Sequence, residues 1–373
     1  MRIAMIGQKG VPATVGGVER HVEELGAGLV ERGHEVIVFA RSTYGTERVR
    51  NHRGMQVRTI PTVRTKHLDA IVQSTIASIG SIVAGVDIVH YHAVGPGLPS
   101  FLPRIASRAA VVQTIHGLDA ERAKWGTGAR AILRVATWLS AHVPDATIVV
   151  SRDLARHYAR RYRRVTRYIP NGVREPIRRP PDHIVDRLGL TGDDYVLFVG
   201  RLVPEKAPDL LIRAFRRLRT DTRLVLVGGS SFTDPYLATL RDLASGDRRV
   251  VLAGEVVGPV LEELYSNAAV FVLPSFLEGL PLTLLEAASF GIPVVASDIP
   301  PHLEILGSDG PGRRTFPTGD EVALASTLQR VLTTAGEERR AAEAFATEVL
   351  RVYRWEDAVQ ATESVYTGVA GRR

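Results

Sequence analysis

Two short apolar runs, each closed by a glycine, set the limits on what this chain can fold into. Arg2–Gly7 reads RIAMIG and Tyr195–Gly200 reads YVLFVG. Continuous apolar runs this short fit strands buried on both faces of a sheet. After each one, short apolar runs alternate with segments of helical period, as in a parallel sheet joined by crossover helices. In the first half, strands are expected at Arg2–Gly7, Glu35–Ala40, Asp87–Tyr91, Val111–Ile115 and Thr147–Val150. Helices are expected at Gly17–Arg32, Leu68–Val83 and Ala129–His142. Val18, Val22, Leu25 and Leu29 form the apolar stripe of the first helix, and Gly33 stops it. The second half repeats the scheme, with strands at Tyr195–Gly200, Arg223–Val227, Val250–Leu252, Val270–Leu273 and Val294–Ala296 and a helix at Leu210–Leu218. Two tail helices follow at Glu337–Leu350 and Trp355–Val365. Asn171–Asp194, which contains REPIRRPPD, reads as an interdomain linker. The 373 residues therefore predict two doubly wound α/β domains, 1–175 and 176–352, and a C-terminal helix, 353–373. Ligands of such sheets bind beyond the carboxyl ends of the strands, so a cleft between the two domains is expected to hold the site.

Composition excludes several classes. The chain has no cysteine, hence no disulfide framework and no thiolate metal site. No stretch approaches the roughly 20 uninterrupted apolar residues of a membrane span. The opening MRIAMIGQKG is broken too early by Lys9 and Gly10 to be a signal peptide. A cytoplasmic protein is expected. The formal net charge is +7, and Arg156, Arg160, Arg161, Arg163, Arg164 and Arg167 crowd one segment, 156–167. That segment fits a solvated helix face or a peripheral contact with an anionic membrane. Nucleic acid ranks behind both, because no aromatic platform or base-reading motif accompanies the arginines.

The residues that carry chemistry lie at predicted strand ends. The first strand runs into GQKGVPATVGGVE, a glycine-rich turn that enters a helix and can bring backbone N–H groups to an anion. Gly7-Gln8-Lys9 breaks the GxGxxG fingerprint, and Phe39-Ala40-Arg41-Ser42 lacks the acidic residue that holds a ribose. A nicotinamide enzyme is thereby disfavoured. Taken alone, Gly16-Gly17 reads as a tight turn. His116 follows a buried strand directly and is equally compatible with a packed loop residue. Arg201 and Lys206, five apart after YVLFVG, can both reach a diphosphate, one as a fork of donors and the other as a point charge. Val270–Leu273 leads through Pro274-Ser275 into FLEGLPLTLLE. Gly279 permits close backbone approach, and Pro281 suits a first helical turn. Glu278 and Glu286 can each accept hydrogen bonds from vicinal hydroxyls, one pair on a sugar and one on a ribose.

The run EGLPLTLLE has the E-x7-E spacing of retaining GT-B glycosyltransferases. With the R-x4-K pair before it, the chain resembles family 4 of that class. Asn171-Gly172-Val173 after a proline, and Gly254-Glu255-Val256 before L-x-x-L-Y-x-x-A, fit the same family in the same order along nearly the whole chain. KGVPATVGGVE and HGLDAERAKWG are similar to a bacterial branch that builds surface polysaccharides, often with deoxyhexoses such as rhamnose. The resemblance implies the GT-B fold: two Rossmann-like domains facing across a cleft, with the helix at Trp355 crossing back onto the first. It implies transfer with retention from a nucleotide diphosphate sugar, of UDP or dTDP type, to a glycan, glycolipid or small-molecule acceptor. Arg201 and Lys206 would bind the diphosphate and Glu278 the sugar hydroxyls, helped by backbone N–H groups from Gly279 to Leu282, with Leu280, Pro281 and Thr283 among the donor-binding residues. Glu286 would hold the ribose, Gly254 and Val256 would border the base, and His116 would face the donor sugar. Gly16 and Gly17 would approach the phosphate or the acceptor; Asp119, Glu121 and Asn171 are acceptor candidates. No metal and no separate cofactor are expected, since there is no D-x-D pair and the two cations take a metal's role. A lipid-linked acceptor would bring the protein to the inner membrane surface. The competing readings are an epimerase or phosphorylase on the same architecture and a basic nucleic-acid-binding protein, which leaves E-x7-E unexplained.

Overall fold

The computed structural model describes residues 1–14, 16–45, 49–62, 69–118, 127–229 and 234–371. The chain forms two compact units, Met1–Gly172 with Trp355–Arg373, and Val173–Arg354. The last helix, Trp355–Ala370, thus belongs to the first unit.

In the first unit, β1 (Arg2–Ile6), α1 (Gly17–Glu31), β2 (Glu35–Arg41), β3 (Asn51–His52) and β4 (Met55–Ile60) are followed by α2 (Asp69–Val83) and β5 (Ile88–His92). Then come α3 (Phe101–Ala106), β6 (Ala110–Ile115), α4 (Thr127–His142), β7 (Ala146–Val149), α5 (Arg152–Tyr162) and β8 (Arg167–Tyr168). The sheet order is β3-β4-β2-β1-β5-β6-β7-β8. Every pairing is parallel except β3 with β4. β5, β6 and β7 are buried along their whole length, as expected when helices cover both faces. Right-handed crossovers put α2 to α5 on one face and α1 on the other. The C-terminal helix packs on α1, where Gly28 lets the two backbones approach: a Cβ there would lie 2.6 Å from Val359 Cγ2. The strands β3 and β4 were not expected. MQVRTI interrupts buried Met55, Val57 and Ile60 with an exposed Gln56 and half-buried Arg58 and Thr59, and so lacks the continuous apolar run of the inner strands.

The second unit holds α6 (His183–Leu188), β9 (Tyr195–Val199), α7 (Pro208–Arg216), β10 (Arg223–Val227), α8 (Asp234–Ser245), β11 (Val250–Gly254) and α9 (Pro259–Ser266). It continues with β12 (Val270–Leu273), α10 (Leu282–Ser289), β13 (Val294–Ser297), α11 (Pro300–Leu306), β14 (Arg313–Phe316), α12 (Glu321–Thr333) and α13 (Ala335–Val352). Its six parallel strands run β11-β10-β9-β12-β13-β14. The order reverses between β9 and β12, which makes that edge the switch point where doubly wound sheets bind ligands.

The linker expected at Asn171–Asp194 is not one. From Val173 onward it is part of the second unit. Ile184 and Leu190 are fully buried. The Glu263 carboxylate accepts the backbone N–H groups of Asp182 and Ile184, each at 3.1 Å, and Arg179 donates to Glu262 at 2.5 Å. A proline- and arginine-rich segment is pinned here by two glutamates on α9.

Candidate functional site

In the second unit the sequence-derived residues gather around the switch point. β9 ends at Val199 and delivers Arg201, and a single 3-10 turn, Pro204–Lys206, carries Lys206. β12 ends at Leu273 and delivers Ser275 and Glu278. The Lys206 ammonium is paired with the Glu278 carboxylate, the two side chains being 14% and 8% exposed. Ser275 Oγ donates to the same carboxylate oxygen at 2.7 Å. Burial alone would push the Glu278 carboxyl up. The positive charge and hydrogen bond of Lys206, the neighbouring His302 and the Ser275 hydroxyl outweigh it and hold the group below the usual glutamate range. Arg201 lies 3.6 Å from Glu205 Oε1. Glu205 is buried, and neither of its oxygens accepts a hydrogen bond among the described residues. Two cations and two carboxylates therefore cancel. The pair of cations is not an open basic patch, and an incoming anion has to compete with the glutamates for them.

α10 begins at Leu282, with Pro281 as its cap residue in extended conformation and no side chain capping it. The positive end of the helix and its first amides thus lie one turn beyond Glu278. Gly279, Leu280, Pro281 and Leu282 are buried and Thr283 is half-buried. Glu286 sits in the middle of α10 and accepts from Tyr265 Oη at 3.3 Å. Tyr265 stacks on Phe290 with ring centres 5.3 Å apart, which fixes the phenol. Gly254 closes β11 at φ +71° with open space where a Cβ would stand, and Val256 follows half-buried.

His302, on α11, was not anticipated. Its Nδ1 lies 2.9 Å from the Ser297 carbonyl. A carbonyl only accepts, so Nδ1 carries the proton and Nε2 is left as a buried acceptor without a partner among the described residues. Burial pushes its pKa down to about 4 against the opposing pull of Glu278, so the ring is neutral.

The first unit builds a different cluster at its own switch point, between β1 and β5. Gly7 follows β1 at φ +118°, and a Cβ there would strike the His92 carbonyl oxygen and approach Pro96 Cβ to 2.9 Å. Only glycine admits this close passage. His92 ends β5, and His116 follows β6. His92 Nδ1 and His116 Nε2 are 3.3 Å apart, and His21 of α1 sets its ring edge against His116 at 4.6 Å. Burial lowers His21 to about 4 and takes His92 well below the ordinary histidine value. His21 and His92 are therefore uncharged, and the ring nitrogens of His21, His92 and His116 converge within 4.8 Å. Asn171 is buried beside them, and its amide oxygen accepts from His21 Nδ1 at 2.9 Å. Gly16 precedes α1 at φ +104° and Gly17 opens the helix. The Glu19 carboxylate already accepts the Lys9 N–H of this loop, at 2.9 Å.

Of the expected residues, the structure brings Arg201, Lys206, Glu278–Thr283 and Glu286 together in the second unit, and His116 and Asn171 in the first. Asp119 and Glu121 lie outside the described residues. Sequence reading missed His21, His92, Ser275 and His302. The only hint of His92 was the polar pair within the IVHYH of β5.

The second unit matches the family model described as "Glycosyl transferases group 1" over residues 193–334, and the first matches "Glycosyltransferase Family 4" over residues 15–175. The D-inositol 3-phosphate glycosyltransferase of Mycolicibacterium paratuberculosis is 31% identical, over 89% of this chain and 81% of its own. Among solved structures, the sucrose-phosphate synthase of Thermosynechococcus elongatus superposes with a TM-score of 0.84 at 24% identity, covering all of both chains. Anabaena HepE, in complex with UDP and glucose, gives a TM-score of 0.81 at 18% identity over 99% of this chain and all of its own. With matching models on both units and a relative of this identity along most of its length, the chain belongs to glycosyltransferase family 4 and has the GT-B fold.

Proposed function

We propose that this glycosyltransferase moves a hexose or deoxyhexose from a nucleotide diphosphate sugar, of UDP or dTDP type, to a glycan, glycolipid or small-molecule acceptor with retention of configuration, in the synthesis of bacterial surface polysaccharide. The observation that carries the donor reading is the Lys206–Glu278 pair, set beside Arg201 and one turn before the amino end of α10. Binding of the diphosphate draws Lys206 and Arg201 away from their glutamates. Glu278, ionised and still held by Ser275, is released to accept the sugar hydroxyls. Glu286, oriented by Tyr265, takes the ribose, and the open edge at Gly254 and Val256 borders the base. In the first unit, His116 is proposed for the donor sugar, Gly16 and Gly17 for the donor phosphate or the acceptor, and Asn171 for the acceptor side.

Breaking the bond between C1 and the diphosphate oxygen leaves an oxocarbenium-like sugar and concentrates negative charge on the leaving group. Lys206, Arg201 and the helix end stabilise that charge. The acceptor hydroxyl attacks from the same face, and its proton passes to the leaving phosphate oxygen. No enzyme carboxylate is needed as nucleophile. The cations serve in place of a metal ion. Transfer to a lipid-linked acceptor would place the enzyme at the inner face of the membrane. UDP supports the reading as the nucleotide held by the HepE structure.

The test is thermal stabilisation by UDP, dTDP, GDP and ADP, with and without magnesium. A ligand at 100 times its Kd adds about 2.7 kcal/mol. One nucleotide is expected to raise the unfolding temperature without metal and to lose this effect in Lys206→Ala. No shift with any of them, or a shift that Lys206→Ala leaves intact, overturns the donor assignment.

A further inference from the structure

The exposed apolar side chains of the chain are distributed unevenly. Eight of the sixteen large hydrophobic residues that stand exposed among the described residues lie on α2, α3 and α4, the helices of one face of the first unit. α1 and the C-terminal helix, on the opposite face, contribute none. The outward side of α4 is apolar where a solvated helix would be polar: Ile132, Val135 and Trp138 are 50%, 54% and 51% exposed. The burial of such side chains in a partner is favourable, and contiguous exposure on this scale marks an interaction surface.

Next to this apolar ridge stands the arginine segment. Arg156, Arg160, Arg161 and Arg163 are exposed on α5 and the residue that ends it. No carboxylate among the described residues lies within ion-pair range of Arg160, Arg161 or Arg163. Trp138 stacks on His142 with ring centres 4.4 Å apart, and His142 meets the edge of Tyr162. Together with the three arginines these rings line a hollow of about 460 Å³. Guanidinium groups bordering an indole and a tyrosine, beside an aliphatic ridge, match the layered chemistry of a bilayer surface: anionic headgroup, interface, acyl chain.

We infer that the α4–α5 face of the first unit docks on an anionic lipid surface, Ile132, Val135 and Trp138 entering the interface while Arg160, Arg161 and Arg163 hold headgroup phosphates. Charge complementarity selects this occupant. A nucleic acid would match the arginines and leave the aliphatic ridge unused. Each contribution is small, as for other amphipathic surface helices, so contact is reversible and falls with salt. The inference stands independently of which nucleotide sugar the second unit takes.

The test is co-sedimentation of the full chain with vesicles of phosphatidylcholine alone and of phosphatidylcholine mixed with phosphatidylglycerol, at low and at high salt. Pelleting is expected with the anionic vesicles only, and most strongly at low salt. Arg160→Gln and Arg161→Gln are each expected to lower partitioning about fivefold. Trp138→Ala should weaken it at both salts. The thermal unfolding temperatures of the three variants should match that of the parent chain and so report intact folding. In a Trp125→Phe background, with Trp355 buried, the fluorescence of Trp138 should shift to the blue on anionic vesicles and be quenched by brominated lipid. A parent chain that stays in the supernatant overturns the inference, as do arginine variants that partition like the parent. So does tight binding of RNA or DNA that the arginine variants abolish while vesicles capture nothing.

Discussion

Each of the two sheets ends in polar groups that point out of a buried strand, and the two units make those groups tolerable by opposite means. The first keeps them neutral. His21 and His92 lose their charge to burial and hydrogen-bond as uncharged rings. The second keeps them charged and cancels them in pairs, Lys206 with Glu278 and Arg201 with Glu205. A neutral cluster presents shape and lone pairs and resists a change of charge nearby. A paired cluster can exchange partners when an anion arrives. That difference suits a first unit that frames a substrate and a second that absorbs the charge of a leaving diphosphate.

Removing one charge from the paired cluster is the strongest way to break the comparison. Lys206→Ala takes away the proposed stabiliser of the leaving group, and turnover is expected to fall by about 10²–10³, or roughly 2.7–4 kcal/mol. The substitution also leaves Glu278 buried without its cation, a loss of about 3–5 kcal/mol in stability. Steady-state kinetics and denaturant unfolding separate the two. The double variant Lys206→Met with Glu278→Leu should recover stability and not activity. If Lys206→Ala retained turnover within threefold, the pair would be structural and the contrast between the units would lose its functional meaning.

The neutral cluster is probed by acid. His21 has its pKa lowered from 6.5 to about 4 in the folded chain. Between those values the unfolded chain binds a proton that the folded chain refuses. Its contribution to stability is therefore complete above pH 6.5 and is lost as pH falls toward 4, about 3 kcal/mol over the window. His302 adds a window of the same position from the second unit. Glu278, whose pKa is lowered from 4.5, acts only below that value, since its contribution is present above the unfolded pKa and fades as the folded group protonates. Urea unfolding at stepped pH should show stability declining from pH 6.5 downward, before any carboxylate titrates. His21→Gln should remove its share of that early decline. A flat profile down to pH 4.5 would mean that the histidines are not held neutral.

The ribose assignment predicts a smaller effect. Glu286→Gln replaces a charged acceptor with a neutral one, and hydrogen bonds to charged groups contribute about 1.5–3 kcal/mol. Calorimetry should show UDP binding at least tenfold weaker, with little change in unfolding temperature because Tyr265 keeps an acceptor at 3.3 Å.

How much of this could be read from the sequence depended on distance along the chain. Arg201 and Lys206 lie on one loop, and Glu278 and Glu286 flank one helix start. Their spacing carries over into the fold because the local backbone preserves it. The histidine cluster has no such local record. His92 reaches His116 because β5 and β6 pair in register, His92 opposite Thr114, and His21 arrives from a separate helix. In the sequence the three lie far apart, His21 among charged helix residues, His92 near His90 in a strand and His116 just past another strand. The supposed linker failed for the same reason: Glu263, which pins Asp182 and Ile184, lies 81 and 79 residues farther on. Local composition there reported proline and arginine and was silent about their anchors.

The two strand-end glycines sharpen the comparison last, because they differ in surroundings more than in backbone. Gly7 and Gly254 both have positive φ, +118° and +71°. A Cβ on Gly7 would run into the His92 carbonyl oxygen and crowd Pro96, whereas one on Gly254 would meet nothing within 4 Å. Alanine at either site carries the left-handed penalty, about 1–2 kcal/mol. At Gly7 it adds overpacking against backbone that supports the histidine cluster, typically 1–3 kcal/mol. The difference in unfolding free energy between Gly7→Ala and Gly254→Ala should therefore be about 1–3 kcal/mol, with Gly7→Ala the less stable. Nucleotide affinity should move the other way if Gly254 borders the base, since its new methyl group would stand in the open space assigned to the ligand. Equal stability losses would show that the first sheet's switch point has slack, and that its neutral histidines are not held by the close passage of β1 and β5.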